Sequence, residues 1–95
     1  MTRSEILKKA EECVNGSRQE DYGNPEDNFK TIARLWADYL HGTGQDIIEI
    51  NACDVAVMLA LLKIARIASG RAKEDNFIDL AGYAACAGEI QTKRE

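Results

Sequence analysis

Three groups of polar residues have the types and spacing to handle an anionic ligand. The first runs from Arg18 through Glu20, Asp21, Tyr22, Gly23, Asn24 and Pro25 to Asn28, a polar loop that feeds a helix start. Free backbone N–H groups at the positive end of a helix suit a phosphate, and Tyr22 can stack on a base. The same Tyr-Gly-Asn-Pro run also serves ordinary turn and cap chemistry. The second group is Lys63 with Arg66, two cations in an otherwise apolar run. Burying them costs several kcal/mol unless they meet anions. Those anions are either ligand phosphates or Asp75 and Asp79 from the following helix. The third group is Asp75, Asn76 and Asp79 followed by Tyr83. Asp75, Asp79 and Tyr83 recur at intervals of four and share one helix face. Two carboxylates one turn apart can share Mg²⁺, an ion that prefers oxygen ligands, with Asp54 as a third ligand from a neighbouring helix. The competing assignment gives Asp75 to helix capping and Asp79 to an ion pair with Lys63 or Arg66.

Positioning these groups requires helices, and four are predicted. The first spans Thr2 to about Asn15, opened by a Thr2/Glu5 capping box and closed by Gly16 as a left-handed cap. The second starts with Asn24 as cap, Pro25 in the first position and Glu26 and Asp27 facing the positive helix end. Its apolar positions Phe29, Ile32, Ala33, Trp36, Tyr39 and Leu40 recur at helical spacing, and His41 sits where a cation favours the helix C-terminus. Gln45 to Ile50 reads as a connector with room for a short extended piece. The third helix begins at an Asn51 cap and is apolar on all sides from Val55 to Ala68, which marks a central or interface helix. The fourth runs from about Asp75 to Ile90. Its small residues Ala81, Gly82, Ala84, Ala85, Ala87 and Gly88 let a neighbour or ligand approach closely. The expected fold is an all-α, compact four-helix bundle in one domain over residues 1–95, oligomeric through its apolar third helix.

Composition narrows the function. The 95 residues are 45% hydrophobic and 29% charged, with one Pro and a net charge of −4. That balance describes an ordinary globular chain and argues against a duplex nucleic-acid binder, which needs a basic face. No apolar run is long enough for a membrane span, and the N-terminal residues lack a signal peptide's apolar core. Three cysteines at 13, 53 and 86, with no C-x-x-C, read as reduced, packed thiols of a cytoplasmic protein. Phosphate-loop, dinucleotide-loop, zinc and nucleophile–base signatures are absent from the sequence.

In one order along the chain come Asp21-Tyr22-Gly23-Asn24-Pro25, Asn28-Phe29, Leu35-Trp36, Asp54-Val55-Ala56, Lys63-Ile64-Ala65-Arg66 and Asp75-Asn76 with Asp79-Leu80-Ala81-Gly82-Tyr83-Ala84. This arrangement resembles a family of short phage and prophage proteins often described as MazG-like, similar to nucleotide-modification-associated helical domains. The resemblance covers roughly residues 18 to 90. It implies a nucleotide-related role in the cytoplasm of an infected bacterial host. MazG-type proteins are oligomeric, all-α nucleoside triphosphate pyrophosphohydrolases whose acidic residues hold Mg²⁺ to activate water. Their signature is an E-E-x-x-E helix followed by an E-x-x-D helix. Here Glu11-Glu12 is followed by Asn15 at the third position, and Asp75 and Asp79 are four apart rather than three.

The resulting expectation is a homo-oligomeric binder of a nucleotide or nucleotide-derived small molecule. Arg18, Tyr22, Gly23, Asn28, Trp36, Lys63, Arg66, Asn76, Asp79 and Tyr83 are the ligand-binding candidates. If the chain is catalytic, Asp54, Asp75 and Asp79 hold Mg²⁺ and a nucleoside triphosphate is cleaved to monophosphate and pyrophosphate; no catalytic residue is assigned. Two alternatives stay open. One is a non-catalytic sponge that sequesters a signalling nucleotide and blunts host anti-phage defence. The other is a protein-interaction module docking through Trp36, Tyr39 and the small-residue face of the last helix.

Overall fold

Side-chain caps fix where three of the helices begin. In the computed structural model, which describes residues 1–16, 23–46, 49–70 and 73–93, α1 spans Arg3–Asn15, α2 Pro25–Gly42, α3 Ala52–Ala68 and α4 Glu74–Thr92. At α1 the Thr2 hydroxyl accepts from Glu5 N–H at 3.1 Å while the Glu5 carboxylate accepts from Thr2 N–H at 3.2 Å. At α3 the reciprocal pair is Asn51 and Asp54, at 2.8 and 3.0 Å. Asn24 accepts from Glu26 N–H at 2.9 Å, with Pro25 in the first turn. These are the starts that the sequence predicts. The fourth helix differs. Lys73, not Asp75, occupies the cap position, and no side chain closes that end.

One further detail departs from expectation. Gly16 ends α1 at φ −94°, not in the left-handed region. Glycine is needed there for a different reason: a Cβ would press into the Glu12 carbonyl oxygen, to which the Gly16 N–H donates at 2.8 Å.

The all-α bundle is held together by α4. It lies against α3 over most of its length, carries α1 on another side, and touches α2 only narrowly, while α2 rests on α3. The start of α1 meets the start of α4 through the Met1 ammonium and Glu74 at 3.7 Å. Further along, Val14 lies over Gly82, where a Cβ would come within 3.3 Å of the valine. A small residue there lets the two helices approach. The core joins Phe29 and Ala33 of α2, Ala52, Val55 and Ala56 of α3, and Ile90 of α4, with Trp36, Leu59 and Tyr83 packed around them. No strand occurs among the described residues, including those of the 45–50 connector, of which 47 and 48 lie outside the description. Among the described residues, no helix is long and apolar enough to cross a membrane.

A cavity between the second and fourth helices

Because α2 meets α4 only narrowly, the bundle opens between them. The opening is a cavity of about 270 Å³ floored by Leu59 of α3 and walled by residues of the other three helices. Cys13 and Val14 come from α1. Pro25, Asn28, Phe29 and Ile32 come from the first two turns of α2, with Gly23 just before them. Ile78, Asp79, Gly82, Tyr83 and Cys86 come from α4. The size lies near the lower end of the range for small-molecule pockets, and the walls are mostly apolar with a few polar groups, as such pockets usually are.

The local sequence explains the walls. Gly23 adopts φ +80°, a left-handed conformation that β-carbon sterics disfavour, and it turns the chain so that Pro25 opens α2 at the cavity's edge. Phe29, one turn on, is buried and tilts against Tyr83, with ring centroids 6.4 Å apart and planes at 53°. That geometry is favourable for an aromatic pair. Gly82 contributes no side chain, so space remains where a larger residue would fill it. The polar feature of the wall is Asp79, whose carboxylate accepts from Lys63 Nζ at 2.9 Å, with side chains only 26% and 12% exposed. Shielded to that degree, the pair is stronger than a surface ion pair, and removing either partner would leave a poorly solvated charge.

The structure brings some of the expected residues together and disperses others. Gly23, Asn28, Asp79 and Tyr83 line the cavity, and Lys63 reaches it through Asp79. Arg18 and Tyr22 lie outside the described residues. Trp36 is half-buried against the core and not on the cavity wall, and Asn76 is buried. Arg66 is exposed and makes no ion pair among the described residues. Of the pairings open to the two cations, the one formed is Lys63 with Asp79.

Magnesium requires a converging set of oxygen donors, and the described residues do not supply one. No three His, Cys, Asp or Glu side chains among them gather as a metal would require. Asp54 is exposed and spends a carboxylate oxygen on the Asn51 N–H, Asp75 is exposed in the first turn of α4, and Asp79 is paired with Lys63. The three aspartates therefore do not form a shared site.

Sequence reasoning missed most of the apolar wall. Phe29 and Ile32 read as an apolar helix face, Leu59 only as part of the all-apolar third helix, and Ile78 drew no reading, because periodicity tells which face turns inward but not where two inward faces fail to close. Gly82 carried a usable signal, an isolated glycine within an apolar helix.

Comparison with known proteins places the chain in a family. Residues 5–91 match the family described as Domain of unknown function (DUF6378), and the chain belongs to it. It is also similar to two phage proteins. It is 43% identical to the Gene 55 protein of Mycobacterium phage L5 over 86 residues and 41% identical to the Gene 55 protein of Mycobacterium phage D29 over 85. Each match covers 90% of this chain and 52% of the relative, so the chain spans about half the length of the curated relatives it matches. These relatives support a phage protein; they do not carry the MazG-like assignment. No solved structure matches.

Proposed function

We propose that this chain binds a nucleotide or nucleotide-derived small molecule in the cavity between α2 and α4 and holds it without hydrolysing it. The observation that carries the reading is the cavity itself, a slot with an aromatic wall and the shielded Lys63–Asp79 pair at one side. A base fits the apolar part beside Tyr83 and Phe29. The start of α2 supplies a positive helix end toward a phosphate, although its Glu26 N–H is already taken by Asn24 and its Asn28 N–H by the Asn24 carbonyl, and Lys63 supplies a cation that can turn from Asp79 to the ligand. Binding rather than turnover is favoured because the described carboxylates are dispersed or already paired. In an infected cell such a protein would act as a sponge for a signalling nucleotide, a role in keeping with its phage relatives.

Titration calorimetry with a panel of nucleoside mono- and triphosphates and cyclic nucleotides tests this. A saturable, one-per-cavity signal is expected, lost in Lys63→Met and Tyr83→Ala variants whose circular dichroism remains helical. No binding across the panel, or binding that survives both substitutions, would overturn the reading.

A further inference from the structure

The exposed face of α3 is as apolar as its buried one. Val57, Met58, Leu61, Leu62 and Ile64 remain 46–56% exposed, and the exposed Ala65 and Ala68 continue the same side of the helix. Val57, Leu61, Ile64 and Ala68 follow one another at steps of four, three and four, the spacing of a helix–helix seam. No charged residue interrupts this side between Val57 and Ala68, because Lys63 turns to Asp79 on α4 and Arg66, five residues after Leu61, falls on the other side of the helix.

We infer that this stripe is covered by α3 of a second copy of the chain, running antiparallel across a two-fold axis near Leu61. Area supports the occupant. Five large side chains half exposed present on the order of 400 Å² of apolar surface, at the scale of patches that mark interaction sites. Two copies cover about twice that. That approaches the ~1,000 Å² that a specific interface needs. Charge supports the direction. Asp54 is exposed at the start of α3, seven residues before Leu61 and therefore on the same side of the helix, so parallel mating would set it beside Asp54 of the partner subunit, whereas antiparallel mating about Leu61 sets it beside Ala68 of the partner subunit. A two-fold seam is self-complementary in this way, whereas an unlike partner must supply a matching stripe of its own. The thinness of the single-chain core points the same way. Among the described residues Val55 is the largest side chain that is fully buried, and the radius of gyration is 14.5 Å, against roughly 12 Å for a compact chain of this length.

Sedimentation equilibrium on the full chain tests the seam. The wild type is expected to be a dimer, and Leu61→Glu a helical monomer, with the dissociation constant raised at least ~100-fold by an unpaired charge in an apolar contact. A wild type that stays monomeric at all concentrations, or a Leu61→Glu protein that stays dimeric, overturns the proposal. Should Leu61→Glu fail to fold, oxidative cross-linking decides. Leu61→Cys is expected to form a covalent dimer beyond the background of the native cysteines, because position 61 meets its own copy at the axis, whereas Val57→Cys is not. Equal cross-linking of the two, or of neither, overturns the antiparallel seam.

Discussion

The two faces of α3 are built from the same kinds of residue and meet opposite surroundings. The face turned to α4 and α2 carries Ala52, Val55 and Ala56, all buried. The face turned away carries Val57, Met58, Leu61 and Ile64, all about half exposed. Hydropathy does not separate them, and size alone does not either, since Val55 and Leu59 pack inward while Ala65 and Ala68 stay exposed; what separates them is which side α4 and α2 cover. Alanines on the packed side let α4 approach along its length, where Cys53 Sγ comes within 3.7 Å of the Ala87 carbonyl oxygen. Larger side chains on the far side would hold a neighbour of the same chain further off. A helix that is apolar all round is therefore central on the side that its own chain covers, and available for association on the side left open.

The sharpest way to break this contrast is to place the same charge on each face. Val55→Asp is expected to cost about 4 kcal/mol, the penalty of an unpaired buried charge. That is most of what a small domain has, so the variant should be largely unfolded by urea-monitored circular dichroism. Leu61→Asp should keep its helical signal; equal losses at the two positions would contradict the contrast. A middling effect is expected at the ion pair beneath the cavity. Lys63→Met should lower stability by about 1–2 kcal/mol in chemical denaturation, since it leaves the partly shielded Asp79 without its donor.

Smaller effects lie at the helix ends. Thr2→Ala is expected to cost about 1 kcal/mol through loss of the α1 cap, read as a lower denaturation midpoint. The same cap is pH-sensitive. The backbone N–H of Thr2, and then its hydroxyl, hold the Glu5 carboxyl below the ordinary glutamate range. Because the folded value lies below the unfolded one, the cap's contribution is present above the unfolded glutamate value. It is lost as pH falls through the lowered folded value. Acid should thus loosen the first turn of α1 before the core, seen by nuclear magnetic resonance as early exchange of the Glu5 amide. At the other end, Lys93 is raised by its hydrogen bond to Glu26, by the Glu26 charge and by Glu89. Its contribution is present below the unfolded lysine value and fades as pH rises through the raised folded one. Lys93→Gln should give the smallest change of all, confined to the tie between the end of α4 and the start of α2.

Much of the fold was legible because it is written locally. Thr2 with Glu5, Asn24 with Glu26, and Asn51 with Asp54 announce helix starts through hydrogen bonds that span two or three residues. The start of α4 misled for the complementary reason. Asp75 has the right chemistry for a cap, but the helix reaches back to Glu74 and leaves Lys73 at its edge. The site was legible only in part. The spacing of Asp79 and Tyr83 placed both on one side of α4, and both reach the cavity. Trp36 and Asn76 have the same polar or aromatic character and went elsewhere, because which inward face meets an opening depends on how α2 sits against α4, and no local pattern records that angle.

Whether the cavity captures a ligand and leaves it whole is tested most directly by incubating the purified protein with a nucleotide panel and Mg²⁺, recording native mass spectra, and then releasing and chromatographing the ligand. The predicted result is protein carrying intact nucleotide at no more than one equivalent per chain. Monophosphate and pyrophosphate accumulating beyond one equivalent would contradict it and make the chain a hydrolase.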